Sequence, residues 1–214
     1  MEADQIWKRR IHIRETLSDR VLMREDFSNR RLVESSLQSF QVREGHCRYL
    51  RAQDTRLKNV SLDHVLCDKG HYQDCQWENF EARSSLFTAS HFSGCTLEKT
   101  VGELSSFGLS TFHDCLLRES RFSEVAFSGS WWHACRFERE NYFFVRFPSA
   151  VFIDTRFVEC RLQKAIFRAA TFIRCAFERC SLDDAVFHKA RFIDTKWIDT
   201  DIRTAANLEE VRYD

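Results

Sequence analysis

The strongest constraint in this sequence is a repeat of five residues that runs through most of its length. Counting in fives from Leu17 to Ile202 gives 38 positions, and 33 of them hold a large apolar residue. Two residues earlier, from Ser35 to Thr200, 30 of 34 positions hold Ala, Ser, Cys, Thr, Val or Gly. A period of five fits neither an α-helix nor an ordinary strand. The pattern therefore indicates a repeat architecture.

Two exchanged pairs indicate that the small and the large site of each repeat share one interior. Where the small site holds Leu50 or Phe80, the large site two residues later holds Ala52 or Ala82. Exchanging a large and a small residue within one repeat roughly conserves volume, as a close-packed interior requires. Both sites are therefore predicted to point into a common core.

The cysteines add a second period. Eight of the nine stand 20 residues from another cysteine, and Cys175 stands 40 from Cys135 on the same series. The three sets are Cys47 and Cys67; Cys75, Cys95, Cys115, Cys135 and Cys175; Cys160 and Cys180. Since 20 is four times five, four repeats complete one coil, and coils stack at about 4.8 Å. The spacing predicts a four-sided solenoid of about eight to nine coils over residues 31–202.

The repeat resembles that of the pentapeptide repeat proteins, in which a small residue precedes Asp or Asn, then Leu or Phe, then two variable positions. The resemblance covers residues 31–202 and implies an all-β solenoid, the family's right-handed quadrilateral parallel β-helix, and a bacterial source. The sequence departs from the family at the Asp or Asn place, which is often basic, as at Arg31, Arg51, Arg56, Arg121, Arg136, Arg146, Arg156, Arg161, Arg191 and Lys196. Acidic residues instead gather two places after the large one, as at Asp154, Glu159, Asp184, Asp194 and Asp199.

The two ends are expected to close the solenoid, because exposed ladder edges invite aggregation. Residues 1–30 are predicted to form an N-terminal cap, with a hairpin from Ile11 to Met23, because their small sites hold charged residues: Glu15, Arg20 and Glu25. Residues 203–214 are predicted to form a short C-terminal capping helix or tail, because two apolar residues have helical spacing: Leu208 and Val211.

Composition and motifs argue against several classes of function. The chain has 32 basic and 32 acidic residues, so no overall field attracts nucleic acid, and no direct nucleic-acid binding is expected. It contains no secretory apolar region and no apolar run long enough to span a membrane. A bacterial cytoplasmic protein is expected, with secretion by a route independent of a signal peptide left open.

No enzyme or cofactor is expected. The sequence contains no Gly-rich phosphate loop, HExxH or GxSxG, and the cysteines lack zinc-finger spacing. All nine cysteines fall on inward sites and are interpreted as buried, reduced thiols that pack as small apolar residues. Glu140 is the one acid at a small site within residues 31–202; we expect a local bulge to turn it outward, with a buried general base as the alternative.

Two surface features remain as candidate sites. A histidine patch is predicted on one side of the rod, and a zinc or copper site there is the alternative to solvated histidines; its residues are His71, His91, His113, Trp131 and His133. A candidate protein interface consists of apolar residues expected to face outward on the C-terminal coils: Phe143, Phe144, Ile153, Val158, Ile166, Ile173, Val186, Ile193 and Ile198.

These features favour a non-enzymatic scaffold that binds a protein of unknown identity, or a second copy of itself through the C-terminal coils. The family resemblance implies one version, an accessory or effector protein of a bacterial secretion or host-interaction system. It also implies an alternative, a dimeric mimic of duplex DNA that binds DNA gyrase or topoisomerase and confers resistance to a drug or toxin. Mimicry of a phosphate array requires a strongly negative rod, and this chain has no net charge.

Overall fold

The computed structural model describes residues 10–213, which form a four-sided parallel β-solenoid. One five-residue repeat makes each side, here called a face, and strands in neighbouring coils pair 20 residues apart. We number the faces 1 to 4 in chain order, beginning with the face that contains Ile11–Ile13. Ten coils lead to a final strand at Arg212–Tyr213, so the solenoid is longer than the predicted eight to nine coils.

Face 1 is a single parallel sheet of eleven strands. Its strands are Ile11–Ile13, Arg31–Val33, Arg51–Gln53, His71–Gln73, His91–Ser93, Thr111–His113, Trp131–His133, Val151–Ile153, Thr171–Ile173, Arg191–Ile193 and Arg212–Tyr213. In each full strand the middle residue points inward, and the residues before and after it point outward. Face 1 therefore presents two outward columns that run along the rod.

A second sheet of fourteen strands covers faces 2 and 3. Three long strands turn the corner between these faces: Thr16–Met23, Ser36–Arg43 and Arg56–Asp63. Face 2 continues with Gln76–Glu78, Thr96–Glu98, Leu116–Arg118, Arg136–Glu138, Arg156–Val158, Ala176–Glu178 and Lys196–Ile198. Face 3 continues with Glu81–Arg83, Val101–Glu103, Arg121–Ser123 and Asn141–Phe143. Single parallel bridges extend face 3 beyond Asn141 and make up face 4, from Asp26 to Asn207.

The interior is filled from the two sites that the repeat predicts. The large sites stack aromatic rings in columns, as on face 4, where Phe107, Phe127 and Phe147 have successive centroid distances of 5.1 and 5.0 Å. The exchanged pair fits this interior, since Phe80 and Ala82 are both fully buried. The shared core inferred from the exchanged pairs is therefore confirmed.

The corners of the solenoid between Arg14 and Asp199 share a positive φ. From Arg14 to Asp199, the residue two places after each large inward residue has a positive φ, for example 51° at Asp154 and 50° at Leu104. Only two of these positions hold glycine. Asp and Asn tolerate this left-handed region better than most residues. The acidic residues that gather at this place in the sequence are explained by that preference.

The N-terminal end differs from the separate cap expected over residues 1–30. Within the described residues, Ile11–Ile13 and Thr16–Met23 pair in parallel with the next coil, 20 residues on, so this segment is a coil and not a hairpin. Its charged small sites are tolerated because they are not fully enclosed: Glu25 is exposed, and Glu15 and Arg20 are half-buried. Residues 1–9 of the predicted cap lie outside the described residues.

The predicted C-terminal helix is wrong. The only helical segment among residues 203–213 and their immediate neighbours is a single 3₁₀ turn, Ile202–Thr204, in which the Asp201 side chain accepts a hydrogen bond from the Arg203 N–H at 2.9 Å. After this turn the chain resumes the solenoid with pairs 21 residues apart, such as Val186 with Asn207. The turn therefore accommodates one extra residue in the last coil, and the coil pattern persists where a helix was expected.

All nine cysteines are free and buried, as the sequence predicts. The seven thiols at small sites donate hydrogen bonds to backbone carbonyls, for example from Cys135 Sγ to the Phe112 oxygen at 3.4 Å. Burial raises the pKa of Cys67 and of Cys160, and it raises the pKa of Cys175 to about 11. Cys67, Cys160 and Cys175 are therefore poor nucleophiles, and burial shields all nine thiols from reagents in solution.

We expect the native protein to give almost no reaction with a thiol reagent such as dithionitrobenzoate, and the denatured protein to react at all nine cysteines. Ser18→Cys on an exposed site should add one rapidly reacting thiol to the native protein. Rapid labelling of any native cysteine in the parent protein would contradict the packing role.

Candidate interaction surfaces

The histidine patch lies on face 1, as predicted. His71 and His91 stack in the column before the inward residues, with ring centroids 4.8 Å apart. His113 and His133 stack in the column after them, 4.9 Å apart. Partial burial, with His91 and Arg51 nearby, lowers the pKa of His71. Among residues 10–213, no three His, Cys, Asp or Glu side chains converge as metal ligands, so the structure supplies no metal centre there.

The aliphatic ladder also lies on face 1. Ile153, Ile173 and Ile193 are in register on adjacent strands and are half-buried by one another. Val151 lies beside Ile153 in the other outward column, and Trp131 is 48% exposed one coil below. The ladder and the histidine patch therefore form one continuous surface, which we call the face 1 surface.

The other predicted interface residues lie on different faces, so the nine do not form a single surface. Ile198 is on face 2 and exposed. Val158 is also on face 2 but only 8% exposed, because it lies in its column between the longer side chains of Glu138 and Glu178. Val158 therefore offers little contact area, contrary to the sequence-based expectation.

The remaining four residues lie along the corner between faces 3 and 4, which we call the corner ridge. Phe143 and Phe144 form an exposed pair with centroids 4.5 Å apart, and Lys164 Nζ lies 5.7 and 5.3 Å from the two rings. Ile166 and Val186 are paired by a parallel bridge and half-buried. The ridge is convex, which limits the area that it can offer to a flat partner.

Sequence reasoning missed two exposed leucines at corners. Leu104 and Leu109 are 63% and 66% exposed, with φ values of 50° and 57°. A large apolar residue there is exposed and also adopts a backbone region that it disfavours. The signal was present in the sequence, since both occupy the place two residues after a large inward residue, where Asp or Asn is preferred.

Charges are neutralised along the rod by ion pairs between adjacent coils. Nine pairs join residues 20 apart: Arg14–Glu34, Arg24–Glu44, Arg48–Asp68, Lys58–Glu78, Arg83–Glu103, Arg118–Glu98, Arg139–Glu119, Arg174–Asp154 and Arg179–Glu159. Such exposed pairs contribute about 0–1 kcal/mol each to stability. Their larger effect is on the surface potential, because acids and bases alternate between the coils that these pairs join.

Face 1 is the exception to this alternation. Its two outward columns hold arginines and histidines but no Asp or Glu in the described part of the chain. The acids lie at the corner after face 1, in the column of positive-φ residues that includes Glu34, Asp54, Asp74, Asp114, Asp154 and Asp194. Face 1 therefore has a basic and apolar surface with an acidic edge on one side.

Glu140 points inward, and the expected outward bulge is wrong. Its neighbours keep the normal register, with Asn141 paired to Arg121, and its side chain is 1% exposed. The Glu140 Oε1 atom accepts a hydrogen bond from the Ser120 backbone N–H at 3.2 Å, whereas Oε2 is buried without a partner. In the coil below, the Ser120 hydroxyl accepts from the Thr100 N–H in the same way, at 3.2 Å. Glu140 thus substitutes for a serine hydroxyl.

Burial of the carboxyl raises the pKa of Glu140 to about 8, although the hydrogen bond from the Ser120 backbone N–H opposes the shift. A buried acid of this kind could serve as a general base. Its side chain, however, faces the packed interior, near the buried Tyr142 hydroxyl and the buried Cys160 thiol. We therefore assign Glu140 a structural role.

The coil geometry and the repeat together define the class of fold, a four-sided parallel β-solenoid built from five-residue repeats. The family model for pentapeptide repeats matches residues 160–196 with eight copies. The chain therefore contains pentapeptide repeats over residues 160–196, and the same five-residue coil geometry continues on both sides of this segment. No helix among residues 10–213 has the length and apolar character of a membrane span.

Solved structures with this fold extend along nearly the whole chain. A trypsin-treated variant of QnrB1, a plasmid-mediated fluoroquinolone resistance protein, has a TM-score of 0.62 at 15% identity and covers 91% of each chain. HetL from the cyanobacterium Nostoc sp. strain PCC 7120, a pentapeptide repeat protein involved in regulating heterocyst differentiation, has a TM-score of 0.57 at 12% identity, covering 93% of this chain and 89% of HetL. At these identities the similarity establishes the fold alone. A search of curated proteins found no match.

Proposed function

We propose that this protein is a non-enzymatic scaffold that binds a protein partner through the face 1 surface. The observation that carries the proposal is the composition of face 1, where an aliphatic ladder adjoins basic and aromatic columns free of carboxylates. Continuous apolar surface of this kind is typical of protein interfaces. Burying a strip of about 400 Å² would contribute on the order of 10 kcal/mol before the costs of association.

The finer proposal is an accessory or effector protein of a bacterial secretion or host-interaction system, with the cytoplasm as its site of action. Nine unpaired cysteines favour a reducing compartment. The stacked core supports a rigid rod, because each coil packs only on its neighbours through buried rings and parallel ladders. A rigid surface loses little conformational entropy on binding, which favours a role in presenting a fixed surface to a partner.

The competing interpretation is binding to DNA gyrase as a DNA mimic. The charge pattern disfavours it, because the most acidic column, after face 1, is interrupted by Gly94, Ala134 and Arg174. A supercoiling assay with purified gyrase, with and without a quinolone, is therefore expected to show neither inhibition nor protection by low micromolar protein. Either effect would replace the scaffold proposal with gyrase binding.

The scaffold proposal is tested by affinity capture from a bacterial lysate with immobilised wild-type protein and two isoleucine variants. Ile173→Glu should reduce capture of the bound partner by about tenfold or more, because it places a charge in the centre of an apolar contact. Ile198→Glu, on face 2, is the matched control and should bind like the wild type. Retention of the partner by Ile173→Glu would remove face 1 as the binding surface.

A further inference from the structure

We propose that a second copy of this chain occupies the face 1 surface, and that the two rods lie parallel, related by a twofold axis along the rod. The inference rests on the proposed function, since it identifies the partner of the same surface. The observations that carry it are the lateral order of the columns on face 1 and the distribution of charge among them. Unlike the sequence-based expectation of contact through the C-terminal coils, the proposed contact runs along the whole face.

A twofold axis along the rod fixes which columns meet. It keeps every residue at its own height and exchanges left and right across the face. On one copy, consider the outward column that precedes the inward residues in the chain. At every coil it then lies opposite the outward column that follows the inward residues in the second copy. The acidic corner column that follows face 1 likewise meets the corner column that precedes face 1, which contains Tyr49, Lys69 and Lys189.

In the N-terminal half this arrangement brings opposite charges together. Arg31 and Arg51 lie in register on face 1 and would each reach the acidic corner of the second copy, at Glu34 and Asp54. Lys69, in the opposite corner column, would meet Asp74 of the second copy at about the same height. Since the two outward columns of face 1 hold no carboxylate, no like-charged acids oppose one another inside the contact.

In the C-terminal half the same operation brings apolar residues together. Val151 would lie against Ile153 of the second copy, and Thr171 against Ile173, one coil above. Trp131 would stack on His133 of the second copy, at the level of the coil below. Each of these pairs occurs twice across the twofold axis, so the apolar strip covers itself.

An antiparallel pair of rods lacks this complementarity. A twofold axis across the rod would bring each column against itself with its direction reversed. The acidic corner columns would then face each other, and the N-terminal arginines would lie over the aliphatic C-terminal coils without a carboxylate. The charge pattern therefore selects the parallel arrangement.

The available area suits a reversible dimer. Ten coils at about 4.8 Å give a face about 48 Å long. A width of about 12–15 Å, for three strand residues and part of each corner, gives about 1,200–1,400 Å² of total buried surface, at the lower end of the range for specific interfaces. A dissociation constant in the micromolar range is expected for an interface of this size.

Sedimentation velocity over a range of protein concentrations tests the proposal. The wild type should form a dimer in the micromolar range, Ile173→Glu should raise the dissociation constant by about tenfold or more, and Ile198→Glu should leave it unchanged. Arg51→Glu and Asp54→Arg should each weaken the dimer, and the double variant should restore it, because the exchanged charges again face one another. A wild-type protein that stays monomeric, or a double variant weaker than both single variants, would overturn the proposal.

The orientation of the rods is tested by spin labels at Ser18→Cys, in the first coil, since the native cysteines are buried. Parallel rods place the two labels at the same end, well within the rod length of about 48 Å. A label separation near or above that length would overturn the parallel arrangement. A monomer that still captures another protein in an Ile173-dependent way would refute the dimer and leave the proposed function standing, whereas loss of both would refute both.

Discussion

Replacing Glu140 with glutamine is expected to stabilise the protein at neutral and alkaline pH by several kcal/mol. The Glu140 carboxyl is buried, and its pKa rises from 4.5 to about 8 in the folded protein. Between these two values the unfolded chain is ionised while the folded protein still holds the proton. The folded state therefore loses stability as pH rises through this window, and keeps its full stability below pH 4.5.

The size of the effect follows from the proton affinities. A tenfold difference in proton affinity corresponds to about 1.4 kcal/mol, so the stability lost by pH 8 is on the order of 4–5 kcal/mol. Glutamine keeps an oxygen for the Ser120 N–H and cannot ionise. Its free energy of unfolding should therefore vary less with pH than that of the wild type.

Chemical denaturation of both proteins from pH 5 to pH 8 measures this difference. Glu124→Gln, at an exposed corner site, is the control and should follow the wild type. Glu140→Ser, which restores the residue type of the neighbouring small sites, should also lose the pH dependence. Parallel pH profiles for the wild type and Glu140→Gln would contradict the inward, protonated carboxyl.

Phe147→Ala is expected to destabilise the fold by about 3–5 kcal/mol, the usual cost of removing a buried phenylalanine ring. The Phe147 ring is fully buried on face 4 and stacks on Phe127 and on Phe167, each at a centroid distance of 5.0 Å. Neighbouring coils are held apart by their backbone ladders, so the cavity has little room to collapse. A loss of this size is a large part of the stability of a typical domain.

The matched control is Phe144→Ala, three residues earlier at an exposed corner. Phe144 has a positive φ of 53° and is 41% exposed, and its ring packs against the exposed Phe143 ring and Lys164. Its removal should change the free energy of unfolding by about 1 kcal/mol or less. Thermal or chemical denaturation that gave similar losses for the two variants would contradict the division between core and surface.

Most of the fold follows from the sequence because residue size alone encodes it. A site that holds Ala, Ser, Cys, Thr, Val or Gly in 30 of 34 repeats is expected to face inward, and one that holds a large apolar residue in 33 of 38 is expected to fill the centre. The exchange at Phe80 and Ala82 places both sites in one core, and the cysteine period fixes the coil at 20 residues. These constraints come from packing between adjacent coils. In a strictly periodic sequence, the residue sizes at each repeat position show that packing directly.

The parts that the sequence did not reveal depend on local contacts. Glu140 was expected to turn outward because a buried carboxyl is costly, but a proton and the Ser120 N–H make burial tolerable. Val158 was expected to be exposed, yet the glutamates above and below it cover it. The C-terminal segment continues the solenoid because one 3₁₀ turn accommodates an extra residue. None of these outcomes is set by the five-residue period.

The central claim is that the protein acts by binding through face 1, and hydroxyl-radical footprinting tests it most directly. The measurement compares the dilute protein alone with the protein in its bound state, whether the partner is a second copy or another protein. We expect protection at Trp131, Ile153, Ile173 and Ile193, and unchanged oxidation at Leu104 and Phe144 on the corners. Protection of the corner residues with none on face 1 would contradict the account.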